Sequence, residues 1–192
     1  PNLVRAQALL EEAGWKLKKG VRINPVTGEK LRIEFLLQQP TMEKVIGAMR
    51  QNFRKLGIEA SIRYVDAAQY QKRVENYDYD IATIWINRGV FFPGSEQMAL
   101  WHSSQADVKG ANNIAGVKHP AVDAALNALI KAQTLEELEV AGRALDRVLL
   151  WEHYVIPHWR SCGFRVAYWN KFARPKTPPK YNLAFQTWWV KE

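Results

Sequence analysis

The amino-acid sequence predicts an α/β fold, with a mixed sheet flanked by helices and an irregular β segment towards the C-terminal end. Hydrophobic periods of about two and about 3.6 residues alternate through the first half, in the order strand–helix–strand–helix–strand. Crossovers of this kind pack helices against a sheet. The chain has 192 residues, of which 47% are hydrophobic. This length and composition favour one sizeable core over a disordered chain.

Each element of the first half rests on its own pattern. Residues 3–13 have helical spacing, and Gly14 ends that helix because glycine readily takes the left-handed conformation. Asp66 is expected to cap a short helix. The strand at residues 79–86 is the most continuously apolar, which predicts a central strand covered on both faces. The other predicted elements are strands at residues 31–37 and 58–65 and helices at residues 40–56 and 66–75.

The second half begins with an irregular segment, residues 87–118, that has little hydrophobic period. Long irregular segments in a compact domain are mostly functional or flexible. Later, Thr134 and Glu137 form a predicted capping box, and the short connection before them predicts an antiparallel helical hairpin. The elements predicted in this half are helices at residues 93–101, 120–133 and 134–151, strands at residues 154–159, 164–169 and 183–190, and an extended linker at residues 171–180.

Composition and spacing exclude several kinds of site. The chain has one cysteine, which excludes an internal disulfide framework and a multi-cysteine zinc site. Its net charge is +8. The four histidines have no spacing typical of a metal site, and no phosphate-binding glycine loop is present. Asp78 and Asp80 could converge for acid–base work, although a solvated turn is the commoner arrangement. We therefore predict no metal ion, no cofactor and no catalytic residue.

Two other classes of function stay open at this point. The charge of +8 and the aromatic residues interleaved with basic ones in residues 160–171 are compatible with a nucleic-acid-binding module, although no nucleic-acid motif is present. Cys162 lies near His158 and His153 in the sequence, which would be the groups of a cysteine hydrolase. Nothing local predicts the electropositive niche that a reactive thiolate needs.

Several short strings occur in a recognisable order along the chain. They are ALLEEAGW at residues 8–15, LGIE at 56–59, YDYD at 77–80, Asn113 followed by PAVD at 120–123, and the Ile156–Pro157 pair. In this order they resemble the family 5 extracellular solute-binding proteins, the oligopeptide, dipeptide and nickel receptors of ABC importers. The string PGSEQ at residues 93–97, with Trp101, most resembles the branch that contains the murein-peptide and microcin receptors.

This resemblance implies both a fold and a function. It covers only the C-terminal part of the family's two-lobed chain, so residues 1–170 are expected to form a lobe of the periplasmic binding protein type II class. Residues 171–192 are expected to form a linker and a terminal strand that return towards the missing N-terminal lobe. The chain would then be an excised fragment that carries half of a binding cleft. Its expected role, without catalysis, is to bind peptides or peptide-like solutes for an ABC transporter permease in the periplasm, and nucleic acid is not an expected partner.

The resemblance also implies candidate ligand-binding residues, most of them in the irregular segment: Trp85, Asn87, Arg88, Glu96, Gln97, Trp101 and Asn113. For Glu96, the alternative is a first-turn acid that complements the helix dipole. Peptide receptors of the family carry an aspartate three residues after a strand-ending tryptophan, where it pairs with the α-amine of the peptide. Counted from Trp85, that position is Arg88, which suits a carboxylate and cannot anchor an ammonium. We therefore expect ligands with an acidic or blocked terminus, unless the alignment shifts locally and Arg88 lies on the rim.

Overall fold

The computed structural model describes residues 2–85, 93–159, 163, 165–177 and 183–191, and these form an α/β fold, which confirms the predicted class. The helices are α1 (Asn2–Glu12), α2 (Glu43–Lys55), α3 (Ala67–Glu75), α4 (Glu96–Trp101), α5 (Pro120–Lys131) and α6 (Leu135–Trp151). The strands are β1 (Lys16–Lys18), β2 (Val21–Ile23), β3 (Arg32–Leu37), β4 (Glu59–Tyr64), β5 (Ile81–Ala82), β6 (Phe172–Ala173) and β7 (Trp189–Val190).

The principal sheet is parallel, with β3 between β4 and β5. Three consecutive residues of β3, Phe35, Leu36 and Leu37, are fully buried. A continuous apolar run of this kind is typical of a parallel strand that is covered on both faces. Helix α2 packs against the sheet through Ile46, and the Phe35 ring lies 5.6 Å from that of Phe53. This layer therefore has its own core around β3.

The prediction that residues 79–86 form the central strand is wrong. Within the described residues, β5 lies at an edge of the sheet and pairs with β3 only at Ile81 and Ala82. The next carbonyl, that of Thr83, accepts a hydrogen bond of 2.5 Å from the Tyr70 hydroxyl of α3. The backbone after Ala82 therefore bonds to a helix side chain, and the strand ends early.

A buried arginine ties the N-terminal hairpin to this layer. Strands β1 and β2 pair in antiparallel fashion, and Arg22 on β2 is fully buried. Its Nε donates to the carbonyl of Leu56 at 2.9 Å, and its guanidinium also donates to the carbonyl of Trp15 at 3.2 Å. The backbone N–H of Arg22 donates to the carbonyl of Gly57 at 2.8 Å. The hairpin is thereby held against the end of α2, near the start of β4.

The second core lies among the last three helices. Helices α5 and α6 form the predicted antiparallel pair and bury Val122, Leu126 and Leu145 between them. The Thr134 hydroxyl accepts from the N–H of Glu137 at 3.2 Å, as predicted for the cap. The Glu137 carboxylate reaches one residue beyond the predicted partner and accepts from the N–H of Gln133 at 2.7 Å.

The C-terminal strand predictions are largely wrong. The described residues of 154–159 and 164–169 are not strands, and in 183–190 only Trp189–Val190 is one. Alternating apolar residues imitate a strand period here, but Tyr154 and Val155 pack on the helical core instead of facing a partner strand. Strand β7 pairs with β6, so the segment after residue 170 folds back on itself.

Among the described residues, no helix has the length and apolar character needed to cross a bilayer.

Truncation of a leucine in the helical core tests where that core lies. Leu126 is fully buried on α5, whereas Leu135 at the start of α6 is exposed. We expect Leu126→Ala to lower the free energy of unfolding by about 3 kcal/mol, because it removes buried methyl groups and leaves a cavity. Leu135→Ala should change it by less than about 0.5 kcal/mol. Urea denaturation measures both variants, and equal losses would contradict this placement of the core.

Candidate functional site

The edge of the sheet at the carboxyl ends of its strands, here called the carboxyl edge, is the expected position of a ligand site. Ligands of open α/β sheets bind in the crevice outside this edge. Strand β5 ends at Ala82, and the chain continues from this edge to Trp85. Trp85 is 70% exposed. A large apolar side chain thus lies at the carboxyl edge of the sheet with most of its surface in water.

A second tryptophan completes an aromatic surface at this place. The rings of Trp85 and Trp159 meet edge to face, with centroids 6.4 Å apart and planes at 87°. Trp159 is 59% exposed, and the His158 ring lies 5.8 Å from it. We call Trp85 and Trp159 the aromatic corner. Two perpendicular indoles that stay open to water offer apolar contact area on two sides of a bound group.

Helix α4 brings three of the predicted site residues together in a chain of hydrogen bonds. The Glu96 carboxylate accepts from the backbone N–H of Gly94 at 2.8 Å and from the Gln97 amide at 3.2 Å. The Gln97 carbonyl oxygen accepts from the indole N–H of Trp101 at 3.1 Å. The N–H of Gly94 is the main cause that lowers the pKa of Glu96 below its usual value. Glu96 therefore stays charged and fixes the start of α4, within the irregular segment.

Trp101 and Asn113 lie inside the fold and not at the carboxyl edge of the sheet. Trp101 is 8% exposed and packs in the helical core. Asn113 is fully buried, and its amide donates to the carbonyls of His102 and Val117 at 3.1 and 3.0 Å. Its side-chain oxygen accepts from the N–H of Val117 at 2.9 Å. This geometry assigns both residues a supporting role, and a direct contact with ligand stays a prediction that it does not favour.

Two tyrosines connect the sheet to the loop that holds Asn113. The Tyr77 hydroxyl donates to the carbonyl of Asn113 at 2.9 Å, and the Tyr79 hydroxyl donates to the carbonyl of Ile114. Burial raises the pKa of Tyr79 to about 12, so its hydroxyl stays a donor at neutral pH. The segment that leads into β5 is thereby joined to the loop that precedes α5.

The other candidates have separate outcomes. Asn87, Arg88 and Cys162 lie outside the described residues. Asp78 and Asp80 do not share a partner: Asp78 pairs with the guanidinium of Arg73 at 3.0 Å, and Asp80 accepts from the N–H of Glu34 at 2.8 Å. In the part of the chain that the structure describes, no group of three His, Cys, Asp or Glu side chains could hold a metal ion.

Sequence reasoning missed Trp159 as a site residue. Trp159 was predicted only as the last residue of a strand at residues 154–159. Its partnership with Trp85 spans 74 residues of sequence, and no local pattern reports a contact at that separation. The nearest sequence signal is the position of Trp159 two residues after Pro157, since proline is typical of an irregular connection.

Comparison with known proteins gives a consistent result. Residues 1–108 match the family described as bacterial extracellular solute-binding proteins, family 5, middle. The probable peptide-binding protein YejA of Agrobacterium fabrum is 43% identical over 190 residues, which are 98% of this chain and 31% of that protein. The uncharacterized protein YejA of Escherichia coli is 38% identical over 190 residues, again 98% of this chain and 31% of that protein. The chain thus spans 31% of the length of these two curated relatives.

A solved structure supports the same fold. The oligopeptide-binding protein AppA of Bacillus subtilis, in complex with a nonapeptide, superposes with a TM-score of 0.71 at 19% identity. The superposition covers 98% of this chain and 37% of that one. At this level of identity the likeness shows the fold alone.

The supporting role of Asn113 can be separated from a ligand role by stability. Asn113→Ala removes three buried hydrogen bonds and leaves the backbone groups of Val117 and His102 without these partners. We expect the free energy of unfolding to fall by about 3 kcal/mol. The adjacent Asn112 is exposed, and Asn112→Ala should cost less than about 0.5 kcal/mol. Chemical denaturation checks both, and an unchanged stability in Asn113→Ala would remove its structural role.

Proposed function

Because this chain belongs to family 5 of the bacterial extracellular solute-binding proteins, we propose that it is the C-terminal ligand-binding lobe of a periplasmic receptor. The receptor would deliver peptides or peptide-like solutes to the membrane permease of an ABC importer. The family consists of binding proteins, and the role proposed for this lobe involves no catalysis. The expected partners are the solute, the N-terminal lobe of the full-length protein and the permease.

The observation that carries this proposal is the aromatic corner at the carboxyl edge of the sheet. Trp85 and Trp159 leave 70% and 59% of their surfaces in water, although burial of either ring would be favourable. A ligand held between two lobes would cover them. Apolar walls with a few polar groups that fix orientation are the usual composition of a small-molecule site. Peptide binding is supported by the names of the relatives, one of which is a probable peptide-binding protein.

The contact residues can then be ordered by their places in the fold. We propose that Trp85 and Trp159 contact the ligand directly, together with Asn87 and Arg88 from the irregular segment. Glu96 and Gln97 are half-buried and lie at the start of α4, so they border the site. Trp101 and Asn113 would support it from within the helical core, as described above.

The two rival classes receive no support from the family. A nucleic-acid-binding module would be recognised by affinity that falls steeply with salt, because bound phosphates release counterions. A cysteine hydrolase would lose activity on Cys162→Ser. Neither property is expected of a solute-binding lobe, and an electrophoretic shift assay at two salt concentrations tests for the first rival.

The segment of residues 171–192 is proposed to contact the N-terminal lobe.

The aromatic corner predicts which tryptophans matter for binding. In the full-length protein that contains this chain, Trp85→Ala and Trp159→Ala should each weaken the binding of peptide by roughly thirtyfold, as expected for a central aromatic contact. Suitable probes are tetraalanine and a tetrapeptide with a central phenylalanine, in free-amine and N-acetyl forms, measured by isothermal titration calorimetry.

A matched control is available at the end of α6. Trp151 is more exposed than either ring of the corner and lies on another element. Trp151→Ala should leave the affinity unchanged. An equal loss in Trp151→Ala would refute the aromatic corner as the site, and a full-length protein that binds none of these peptides would refute peptide binding.

The charge at residue 88 predicts the preferred end group of the peptide. The arginine guanidinium donates two parallel hydrogen bonds to a carboxylate, whereas it repels an ammonium. We expect N-succinyl-trialanine to bind more tightly than N-acetyl-trialanine, and free-amine trialanine to bind least tightly. Arg88→Ala should lower affinity for the succinyl peptide at least tenfold, the loss of one charge-assisted hydrogen bond.

The control for that experiment is another arginine that lies outside the site. Arg147 on α6 is exposed, and Arg147→Ala should not alter the order of the three peptides. If free-amine trialanine binds tightly and Arg88→Ala leaves its affinity unchanged, Arg88 lies on the rim and the charge preference is wrong. Peptide binding itself would survive that result.

A further inference from the structure

The positive charge of this chain is concentrated in one stretch of sequence. Residues 16–63 contain eleven Lys and Arg against four Glu and no Asp, a net +7 of the chain's total of +8. The remaining 144 residues are therefore almost neutral in sum. The stretch covers β1 through β4 with α2, so the charge belongs to the sheet layer and not to the helical core.

The fold brings most of these cations to the amino end of the sheet. Strand β1 carries Lys16 and Lys18. Strand β3 begins at Arg32, shortly after Lys30, and the last turn of α2 holds Arg54 and Lys55. The hydrogen bond from Arg22 to Gly57 holds the hairpin next to the end of α2. The resulting surface, here called the basic face, consists of Lys16, Lys18, Lys19, Lys30, Arg32, Arg54 and Lys55, which are all exposed.

Glu59, the acid that lies among these cations, does not neutralise them all. An open hollow at its centre is lined by Arg32, Arg54 and Glu59, among others. Glu59 is already shared, because it accepts from Lys30 at 2.5 Å and from Arg32 at 3.0 Å. Hydrogen bonds from these two cations lower its pKa below the usual value. Among the described residues, Lys16, Lys18 and Arg54 have no ion pair.

Apolar side chains are exposed beside the cations. Leu17 on β1 is 48% exposed, and Val26, in the turn after β2, is 90% exposed. The turn is ordered by Asn24, whose side-chain oxygen accepts from the N–H groups of Val26 and Thr27 at 2.9 and 3.3 Å. The valine is therefore presented at a fixed tip. Cations that flank exposed apolar residues are the composition of protein surfaces that lie in the interface of a membrane.

The basic face is separate from the proposed ligand site. It lies at the amino ends of β3 and β4, whereas Trp85 lies beyond the carboxyl end of β5. Strands of six residues place these two edges roughly 20 Å apart. A surface bound at one edge would leave the other free for ligand.

We propose that the basic face binds the headgroups of anionic phospholipids and so holds the protein at a membrane surface. The cations are dispersed over a hairpin, the end of α2 and the start of β3, which suits many separate, mobile phosphates better than a single compact anion. Val26 adds a shallow apolar contact that a purely electrostatic partner would not use. For a receptor that supplies a membrane permease, a weak attraction of this kind raises its concentration near the bilayer.

Vesicle sedimentation tests the proposal with the full-length protein that contains this chain. We expect the protein to sediment with vesicles of phosphatidylcholine and phosphatidylglycerol at a ratio of 70:30 in 50 mM salt, and to be released in 500 mM salt. Vesicles of pure phosphatidylcholine should not bind it. Each cation near an anionic bilayer contributes roughly fivefold in affinity, so Lys16→Gln, Lys18→Gln and Arg54→Gln together should weaken binding about a hundredfold.

A charge-matched control separates the basic face from the net charge. Lys72 on α3, Lys131 on α5 and Arg147 on α6 are exposed, and their joint replacement by Gln removes the same charge. This control should bind the vesicles within about threefold of the parent protein, as expected for distant charges screened by salt. Val26→Asp alone should also weaken vesicle binding. Circular dichroism checks that each variant is folded.

Three results would overturn the proposal. The first is equal binding to charged and uncharged vesicles, and the second is an equal loss in the patch and control variants. The third is binding of the parent protein to a DNA duplex or to an acidic protein, lost in the patch variant, without binding to the charged vesicles, which would assign the face to another polyanion. Peptide affinity is expected to be the same in the parent, patch and control proteins, so this test stands apart from the one for peptide binding.

Discussion

The joint between the two cores depends on the buried side chain of Asn113. Its amide satisfies the carbonyl of His102 and both backbone groups of Val117, so the loop between α4 and α5 has one fixed shape. The carbonyls of this loop then accept the hydroxyls of Tyr77 and Tyr79. Because those tyrosines precede β5, the helical core and the sheet share one boundary. The position of Trp85, shortly after β5, relative to α4 follows from this boundary.

Elements defined by local chemistry could be predicted from the sequence, whereas the order of strands could not. Thr134 and Glu137 announce the start of α6 because a capping hydrogen bond joins neighbours in sequence. The central position of β3 has no such signal. The apolar run in 79–86 pointed to the wrong strand, since a run of apolar residues records burial and not the number of partner strands. Strand β5 ends where the hydroxyl of Tyr70 donates a hydrogen bond to the carbonyl of Thr83.

The candidate site shows the same division between local and distant causes. Glu96, Gln97 and Trp101 could be expected to lie close together because they belong to one short helix, whereas their contact with ligand stays a prediction. Exposure could not be predicted from the sequence: Trp85 precedes the irregular segment and Trp101 lies within it, yet Trp85 is open to water and Trp101 is in the core. Trp159 was misplaced because its partner lies far away in sequence. Tryptophan content alone therefore says little about which rings can meet a ligand.

The geometry of a parallel sheet explains how one small fold can keep two unlike surfaces apart. All strands of such a sheet run the same way, so every connection enters at one edge and leaves at the other. Residues that start β3 and β4, such as Arg32 and Glu59, are confined to the amino edge, and residues that follow β5, such as Trp85, to the carboxyl edge. A sum over the whole chain, such as the net charge of +8, does not reveal this separation. Once most of the charge is located, it no longer argues for nucleic acid at the aromatic corner, because the basic face and the aromatic corner lie at opposite edges of the sheet.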